Sequence, residues 1–320
     1  MSSTIIELAT GSTTTSDFGS GVNKALAVEA KSVFEVKETK AALRKFAARI
    51  ERTQKAQLEM EKFAKTSLTS GGDLEDGSDP TWTVVDNQSL ITFNTPTYVS
   101  YGFKLTPKLL RQARSDPQSF MERYRKNIAF KLAKQEDVLV GSYLVNNATN
   151  IQYAGTATQA SELNTGSKMT IELFEKMVDD MKEREYEPTD FIGTAKVIGQ
   201  LRRDARLLNN SDFSVAIKED GSSVTQIGDV KVQEVKGTEI LADYAIAVGS
   251  GTYGIMLDKE GAFGIVDFLQ AAGANPVTIS VGKPDATLEG ANFHRILGQT
   301  EMQVQILDNN ALIIARVSKI

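Results

Sequence analysis

The chain contains few residues of the kinds that carry out chemistry. None of its 320 residues is cysteine, and one, His294, is histidine. Disulfides, thiolate metal sites and thiol nucleophiles are therefore excluded, as are histidine-dependent triads and multi-histidine metal centres. His294 lies between Phe293 and Arg295 in a segment whose pattern predicts a strand. Any catalysis would have to use carboxylates and lysines.

Carboxylates are the remaining candidates for acid–base work, and they form two groups. The members are Asp73, Glu75, Asp76 and Asp79 in a turn-rich stretch, and Glu183, Glu185 and Glu187 near the end of a predicted helix. The first group lacks the spacing of the twelve-residue calcium loop of EF-hands, and a solvated acidic surface explains both groups. An enzyme that uses carboxylates and lysines would need a concave site where such groups converge. The sequence offers no such constellation, so we predict no catalytic residue, no metal ligand and no cofactor.

The overall charge balance is mildly acidic, with 36 Lys and Arg against 41 Asp and Glu. A strongly basic chain would indicate nucleic-acid binding, because phosphate neutralisation needs clustered cations. No apolar run approaches the roughly 20 residues of a membrane-spanning helix. The polar residues 1–21 lack the charged start and apolar core of a signal peptide. We therefore expect a soluble protein that stays where it is made and has no membrane partner.

Basic residues are concentrated in segment 36–65, which lacks Gly and Pro and is rich in alanine. Leu43, Phe46 and Ile50 recur there at three- and four-residue spacing, which predicts an amphipathic helix. The cations assigned to its opposite face are Lys37, Lys40, Arg44, Lys45, Arg49 and Arg52. A solvated helix face explains this pattern. The sharper hypothesis is a helix that contacts scaffold, cargo or packaged nucleic acid.

Two strand-like runs, 81–85 and 90–105, follow the acidic turn-rich stretch and predict a long hairpin. Pro96 indicates an edge or an irregularity in the second run, because proline cannot donate a ladder hydrogen bond. A two-stranded hairpin alone is marginally stable in water, so we expect this one to lie against a neighbouring subunit. The side chains predicted to make that intersubunit contact are Trp82, Val84, Phe93, Tyr98 and Tyr101.

The centre of the chain predicts a long helix from about Pro117 to Leu144. At 1.5 Å per residue it would span roughly 40 Å, enough to serve as a spine for the rest of the fold. An α+β pattern follows. Its parts are helices at 170–185 and 196–208, a buried strand at 191–193, short strands at 230–235, 244–248, 254–257 and 264–268, and two long closing strands at 293–307 and 311–317.

The order of these parts resembles that of the tailed-phage major capsid proteins, whose fold is named for phage Hong Kong 97 and is shared with encapsulin shells. The resemblance covers about residues 80–317. Residues 128–141 (IAFKLAKQEDVLVG) are similar to the end of the family's spine helix, and residues 174–204 are similar to the opening of its A-domain. Residues 242–249 (ADYAIAVG) and 253–260 are similar to an A-domain strand and the hairpin that follows it. Residues 295–311 are similar to the closing strands.

The resemblance implies an α+β fold of the Hong Kong 97 type in five parts. These are an N-terminal arm with the basic helix at 1–66, an E-loop hairpin at 67–105, a P-domain with the spine helix at 106–168, an A-domain at 169–290 and closing P-domain strands at 291–320. The implied function is that of a major capsid protein, which forms the hexamers and pentamers of an icosahedral shell around viral double-stranded DNA. The implied locations are the virion and, during assembly, the host cytoplasm. Scaffold and portal proteins, and DNA held without sequence-specific contact, are the implied partners.

Two other hypotheses remain open at this point. An encapsulin-like compartment would enclose cargo protein instead of a genome. A carboxylate- and lysine-dependent enzyme represents a different class of function.

Some relatives of the family cross-link their shells through an E-loop lysine. Because no lysine lies between Lys65 and Lys104, we expect no such cross-link here.

Overall fold

The computed structural model describes residues 35–38, 40–61, 90–105, 117–164, 166–207, 213–217, 223–235, 251–269, 277–282 and 294–318. These residues form three α-helices and fourteen strands, numbered here along the chain, in two large sheets and a two-stranded ribbon. The α+β class expected from the sequence is confirmed. The predicted strands at 81–85 and 244–248 lie outside the described residues.

The first sheet is built around one long strand. Its members are β1 (Arg49–Thr53), β4 (Thr97–Leu105), β11 (Phe263–Phe268), β12 (Val277–Gly282) and β13 (His294–Ile306). Strand β13 pairs antiparallel with β4, β11 and β12, and β1 joins in parallel with β11. Every side chain of β11 is buried, which is typical of a strand covered on both faces.

The second sheet has seven strands and mixed pairing. In spatial order they are β5 (Ile151–Tyr153), β14 (Leu312–Ser318), β10 (Gly251–Leu257), β6 (Asp190–Thr194), β9 (Val230–Val235), β8 (Ser223–Ile227) and β7 (Phe213–Ile217). The central strand β6 is buried along its whole length. The short buried strand predicted at 191–193 is therefore confirmed.

The three helices agree with the sequence pattern. They are α1 (Pro117–Asn147), α2 (Ile171–Glu183) and α3 (Ala195–Leu207). The side chain of Thr170 caps α2 by accepting a hydrogen bond of 3.2 Å from the backbone N–H of Leu173. Phe174 of α2 packs edge-to-face on Phe191 of β6, with ring centroids 5.3 Å apart. This contact fastens α2 to the second sheet.

Helix α1 lies across the first sheet and packs against β4 and β13. Ile128, Leu132, Val140 and Leu144 form part of its buried face. The close approach depends on Gly298 of β13, where an added Cβ would lie 2.6 Å from Cγ2 of Ile128. The long helix predicted from Pro117 onward is confirmed as the spine of this layer.

The predicted strand 90–105 is divided into two strands with different partners. Residues 94–96 lie in neither strand, in agreement with the irregularity expected at Pro96. Before the break, β3 (Leu90–Phe93) pairs antiparallel with β2 (Leu58–Glu61). After it, β4 belongs to the first sheet. The described stem of the hairpin is therefore β2 and β3, and residues 62–89 connect them.

The helix predicted over 36–65 is wrong for most of its length. A helical turn at 35–38 is followed by a 3-10 turn at Arg44–Phe46, and then by the strands β1 and β2. Strand pairing overrides the local helix propensity, because β1 gains a complete parallel ladder with β11. Leu43 and Phe46 are buried as expected, whereas Ile50 is 42% exposed on an edge strand.

The two long closing strands are confirmed, but they belong to different sheets. Strand β13 ends in the first sheet, and β14 begins in the second after a 3-10 turn at Asn309–Ala311. Asp308 caps this turn and also accepts a 2.6 Å hydrogen bond from the hydroxyl of Tyr186. The chain thus joins the two sheets at a buried, hydrogen-bonded corner.

Candidate assembly surfaces and a buried charge cluster

Four charged side chains meet in the interior where the N-terminal segment crosses α1 and β11. We call Lys37, Arg44, Glu136 and Asp267 the buried charge cluster, and none of the four is more than 3% exposed. Nζ of Lys37 lies 2.5 Å from Oε2 of Glu136. Nη1 of Arg44 lies 2.9 Å from Oε1 of Glu136 and 3.1 Å from Oδ1 of Asp267. Its Nη2 donates to Oδ2 of the same aspartate, so the guanidinium binds Asp267 with both nitrogens.

Charge balance explains how this cluster tolerates burial. Two cations face two carboxylates, so no charge is left uncompensated in the interior. Burial lowers the pKa of Arg44, but the hydrogen bond to Asp267 and the nearby charges of Glu136 and Asp267 outweigh burial and raise the pKa overall. The guanidinium is charged at every pH at which the protein folds. The cluster therefore ties segment 35–46 to α1 and to the first sheet.

Asp137 fastens the same segment through its backbone. Its carboxylate accepts hydrogen bonds of 2.9 Å from the N–H of Ala42 and 2.8 Å from the N–H of Leu43. Burial raises the pKa of Asp137 to about 6, although these two hydrogen bonds act in the opposite direction. The adjacent acids Glu136 and Asp137 thus bind the side chains and the main chain of one crossing segment.

The predicted basic face of segment 36–65 does not exist as one surface. Lys37 and Arg44 are interior, because the carboxylates of Glu136 and Asp267 are buried and require cationic partners. The other four predicted cations, Lys40, Lys45, Arg49 and Arg52, are exposed or partly exposed. Of these, Lys45 and Arg52 make separate local contacts.

Two of these contacts are resolved in detail. Lys45 donates a 3.0 Å hydrogen bond to Gln233 and lies 4.9 Å from the ring centroid of Phe46. Arg52 pairs with Glu38 at 2.8 Å. The first contact extends the N-terminal segment to the second sheet, because Gln233 belongs to β9.

The residues predicted to contact a neighbouring subunit divide into three groups. Phe93 is fully buried with Met60, Val266 and Phe268 inside the subunit, so its assignment to an intersubunit contact is wrong. Its position opposite Leu58 on the ribbon turns it toward the first sheet. Tyr101 is partly buried against the main core, and Tyr98 is 65% exposed. Trp82 and Val84 lie outside the described residues.

Three further large apolar side chains are exposed. The sequence pattern did not predict any of them to lie at the surface. Ile50, Leu90 and Phe130 are 42%, 55% and 54% exposed. Phe130 could have been noticed, because it falls between the lysines of α1 and outside the spacing of the buried stripe. Together with Tyr98 they are the described apolar side chains available to a partner.

An open cleft of about 510 Å³ lies between α2 and the turn that joins β8 to β9. Glu175, Asp179, Glu185 and Glu187 line it and are exposed to solvent. These carboxylates are therefore hydrated, unlike the desolvated carboxylates that act as acids and bases in enzymes. No group of metal-ligating side chains occurs among the described residues. The helices described here include none that is long and apolar enough to cross a membrane.

Solved structures with the same arrangement are shell assemblies. The holo-SrpI encapsulin complex from Synechococcus elongatus PCC 7942 aligns with a TM-score of 0.54 at 13% identity, over 84% of this chain and 85% of that chain. The procapsid of satellite phage P4 aligns with a TM-score of 0.54 at 12% identity, over 96% and 98%. The chain has the Hong Kong 97-type capsid fold. A virus-like particle from Pyrococcus furiosus with the same fold aligns with a TM-score of 0.52 at 10% identity, over 90% and 98%.

The Hong Kong 97-type capsid fold is established here by structure alone. No family model matches the sequence, and no curated protein matches it. The neighbours are an encapsulin complex, a procapsid and a virus-like particle, which are structural shells and not enzymes. Within this fold α1 occupies the place of the spine helix, and the fold class expected from the sequence is confirmed.

Proposed function

We propose that this chain is a major capsid protein that assembles through hexamers and pentamers into an icosahedral shell around viral double-stranded DNA. One observation carries the proposal. The chain aligns with shell-forming proteins over 84% or more of its own length and 85% or more of theirs. The match covers nearly the whole of both chains.

The surface features support assembly through a projecting hairpin. Its stem, β2 and β3, is anchored by Met60 and Phe93 in a small apolar cluster with the first sheet. A hairpin made from residues 62–89 would reach up to roughly 45 Å. In this proposal it lies on a neighbouring subunit and buries Trp82 and Val84 there. At about 25 cal/mol per Å², each such contact is modest, and repetition around a closed shell makes the sum large.

The shell's partners and location follow from the same proposal. Scaffold and portal proteins would take part in assembly in the host cytoplasm, and the finished shell would be part of the virion. The packaged DNA would be held without sequence-specific contacts, because phosphate contacts carry no sequence information.

A second candidate function is an encapsulin-like compartment that encloses cargo protein. The specific observation that favours it is the encapsulin match, whose TM-score of 0.54 equals that of the phage procapsid. The two candidates share the fold and differ in contents. Nuclease-protected nucleic acid in purified particles would favour the capsid, and a co-purifying protein without nucleic acid would favour the compartment.

The experiment that tests assembly is negative-stain microscopy of the purified chain after size-exclusion chromatography. We expect closed, uniform particles or hexameric capsomers. A chain that stays monomeric or dimeric at high protein concentration, with and without co-expressed scaffold, would contradict the proposal.

A further inference from the structure

The cleft of about 510 Å³ beside α2 has walls that the fold holds in place. The first wall is α2, which the contact of Phe174 with β6 fastens to the second sheet. The second is segment 185–188, where the hydroxyl of Tyr186 donates a 2.6 Å hydrogen bond to Asp308. The third is the turn between β8 and β9, whose two ends are paired with each other. The cleft is therefore preformed, as ligand sites usually are.

The rim of this cleft is acidic. Among the described lining residues the acids are Glu175, Asp179, Glu185, Glu187 and Asp229, all exposed, and the one cation is Lys182. The acids come from all three walls, and no three metal-ligating side chains converge anywhere in the described part of the chain. Negative charge that is spread in this way suits a ligand with several separated cationic groups better than it suits a single metal ion.

The floor of the cleft is apolar. Phe174, Tyr186, Ile227 and Val230 line it and are at most 5% exposed, and Val178 is half-buried. Lysine and arginine carry apolar stems below their charged heads. Such stems can lie on this floor while their heads reach the carboxylates of the rim. We call the floor and the rim together the acidic cleft.

We propose that the acidic cleft binds a segment of a partner protein in which lysines or arginines alternate with apolar residues. The cleft is open to solvent, so a polypeptide can pass through it and supply several cations along its length. Charge complementarity favours this partner over nucleic acid, whose phosphates the rim repels. The inference goes beyond the proposed function, because it applies equally to a shell around DNA and to a shell around cargo protein.

The test uses the unassembled full chain and a fluorescein-labelled peptide of three Lys-Ala-Leu-Arg repeats, with binding followed by fluorescence anisotropy at low salt. In the variant E175Q/D179N/D229N we expect binding at least about fivefold weaker, because each exposed ion pair contributes up to about fivefold. Raising the salt concentration should weaken binding to the unmodified chain more than binding to the variant. Thermal melting checks that each variant is folded.

A matched variant and a second peptide separate the cleft from general attraction between opposite charges. E51Q/E183Q/E234Q removes three exposed acids elsewhere on the chain and should bind within twofold of the unmodified protein. A labelled peptide of three Lys-Gly-Ser-Arg repeats has the same charge without the apolar side chains, and it should bind at least about threefold more weakly. The inference is overturned if the two acid variants bind alike, if the two peptides bind alike, or if the unmodified chain binds neither peptide.

Two further outcomes would assign the cleft to a different occupant and also overturn the inference. Spermine that displaces the labelled peptide at the same concentration as unlabelled peptide would indicate a site for small polyamines. Loss of particles in folded E175Q/D179N/D229N, under conditions where the unmodified chain assembles, would indicate a contact between copies of this chain. A lack of peptide binding leaves the capsid proposal intact, because that proposal depends on particle formation alone.

Discussion

The N-terminal segment and the outer face of α1 are both rich in lysine and arginine, and the fold uses them in opposite ways. In segment 35–46 Lys37 and Arg44 are buried and paired with carboxylates. On α1, by contrast, Arg123 and Lys126 are exposed, and Lys131 and Lys134 are partly exposed. The difference lies in burial. Glu136 and Asp267 are buried and need cations in the interior, whereas the cations of α1 reach solvent.

Whether a cation is buried or exposed depends on residues that are far from it in the sequence. The partners of Arg44 lie 92 and 223 residues away along the chain. A helical pattern within 36–65 contains no information about either of them. Buried charges therefore hold the subunit together, and the exposed charges lie at its surface.

Arg44→Met should have the largest effect, because it leaves Glu136 and Asp267 buried without their guanidinium. We expect a loss of roughly 3–5 kcal/mol in the free energy of unfolding. Lys131→Met on the outer face of α1 should change it by less than about 0.5 kcal/mol. Chemical denaturation of the unassembled subunit measures both variants.

A third variant sharpens this test. Arg44→Met combined with Asp267→Asn removes the one carboxylate left without a cation, because Glu136 keeps its ion pair with Lys37, so the double variant should recover part of the lost stability. Equal losses for Arg44→Met and Lys131→Met would show that burial does not distinguish the two regions.

The next effect concerns pH and Asp137. Its pKa of about 6 in the folded state lies above the ordinary value of 3.8, so the folded state binds the proton more tightly than the unfolded state. The stabilisation from this proton is complete below about pH 4 and is lost as the pH rises through 6. At 1.36 kcal/mol per unit of pKa, the loss is roughly 3 kcal/mol.

Asp137→Asn isolates this contribution, because asparagine keeps an oxygen acceptor and does not titrate. We expect the stability of the unmodified chain, relative to the variant, to fall by that amount between pH 4 and pH 7. Urea denaturation across the range measures it. A constant difference would mean that Asp137 is not desolvated by segment 35–46.

A smaller effect is expected on the inner face of α1. Gly298→Ala places a Cβ 2.6 Å from Cγ2 of Ile128, so the helix must move away from β13. We expect a loss of about 1–3 kcal/mol from overpacking. Gly199→Ala on α3 is the matched control, since a Cβ there meets nothing within 4 Å. It should stabilise by about 0.5–1 kcal/mol through helix propensity. If the two variants behave alike, α1 does not pack closely on the sheet.

The smallest effect on stability should come from shortening the projecting hairpin. Replacing residues 64–87 with a short Gly-Ser turn leaves β2 and β3 intact, so the melting temperature of the subunit should change little. Assembly should be lost, as judged by size-exclusion chromatography and microscopy. A deletion of 82–100 would instead remove β3 and part of β4, and we expect it to unfold the subunit. Normal particles from the 64–87 variant would exclude the hairpin from assembly.

Much of the fold was predictable because its elements carry local signals. The start of α1 at Pro117, the helix α2 and the buried strand β6 were all identifiable from local sequence patterns. Pro96 correctly marked the break between β3 and β4. These features depend on neighbours a few positions away.

The parts that failed depend on pairing across the chain. Strand β1 forms because β11 offers it a parallel edge more than 200 residues later, and no local pattern predicts that partner. Phe93 looked like a surface aromatic until the ribbon placed it against Val266 and Phe268. One signal was overlooked. Glu136 and Asp137 interrupt the apolar spacing between Leu132 and Val140, which indicates that a buried partner must cross the helix there.

The most direct test of the account is a cryo-EM reconstruction of particles formed by the unmodified chain. We predict a closed icosahedral shell in which segment 35–46 crosses α1 at Glu136 and Asp137 in every subunit. A closed shell in which segment 35–46 does not cross α1 would contradict the role given to the buried charge cluster. Purified chain that forms no closed assembly would contradict the capsid function itself.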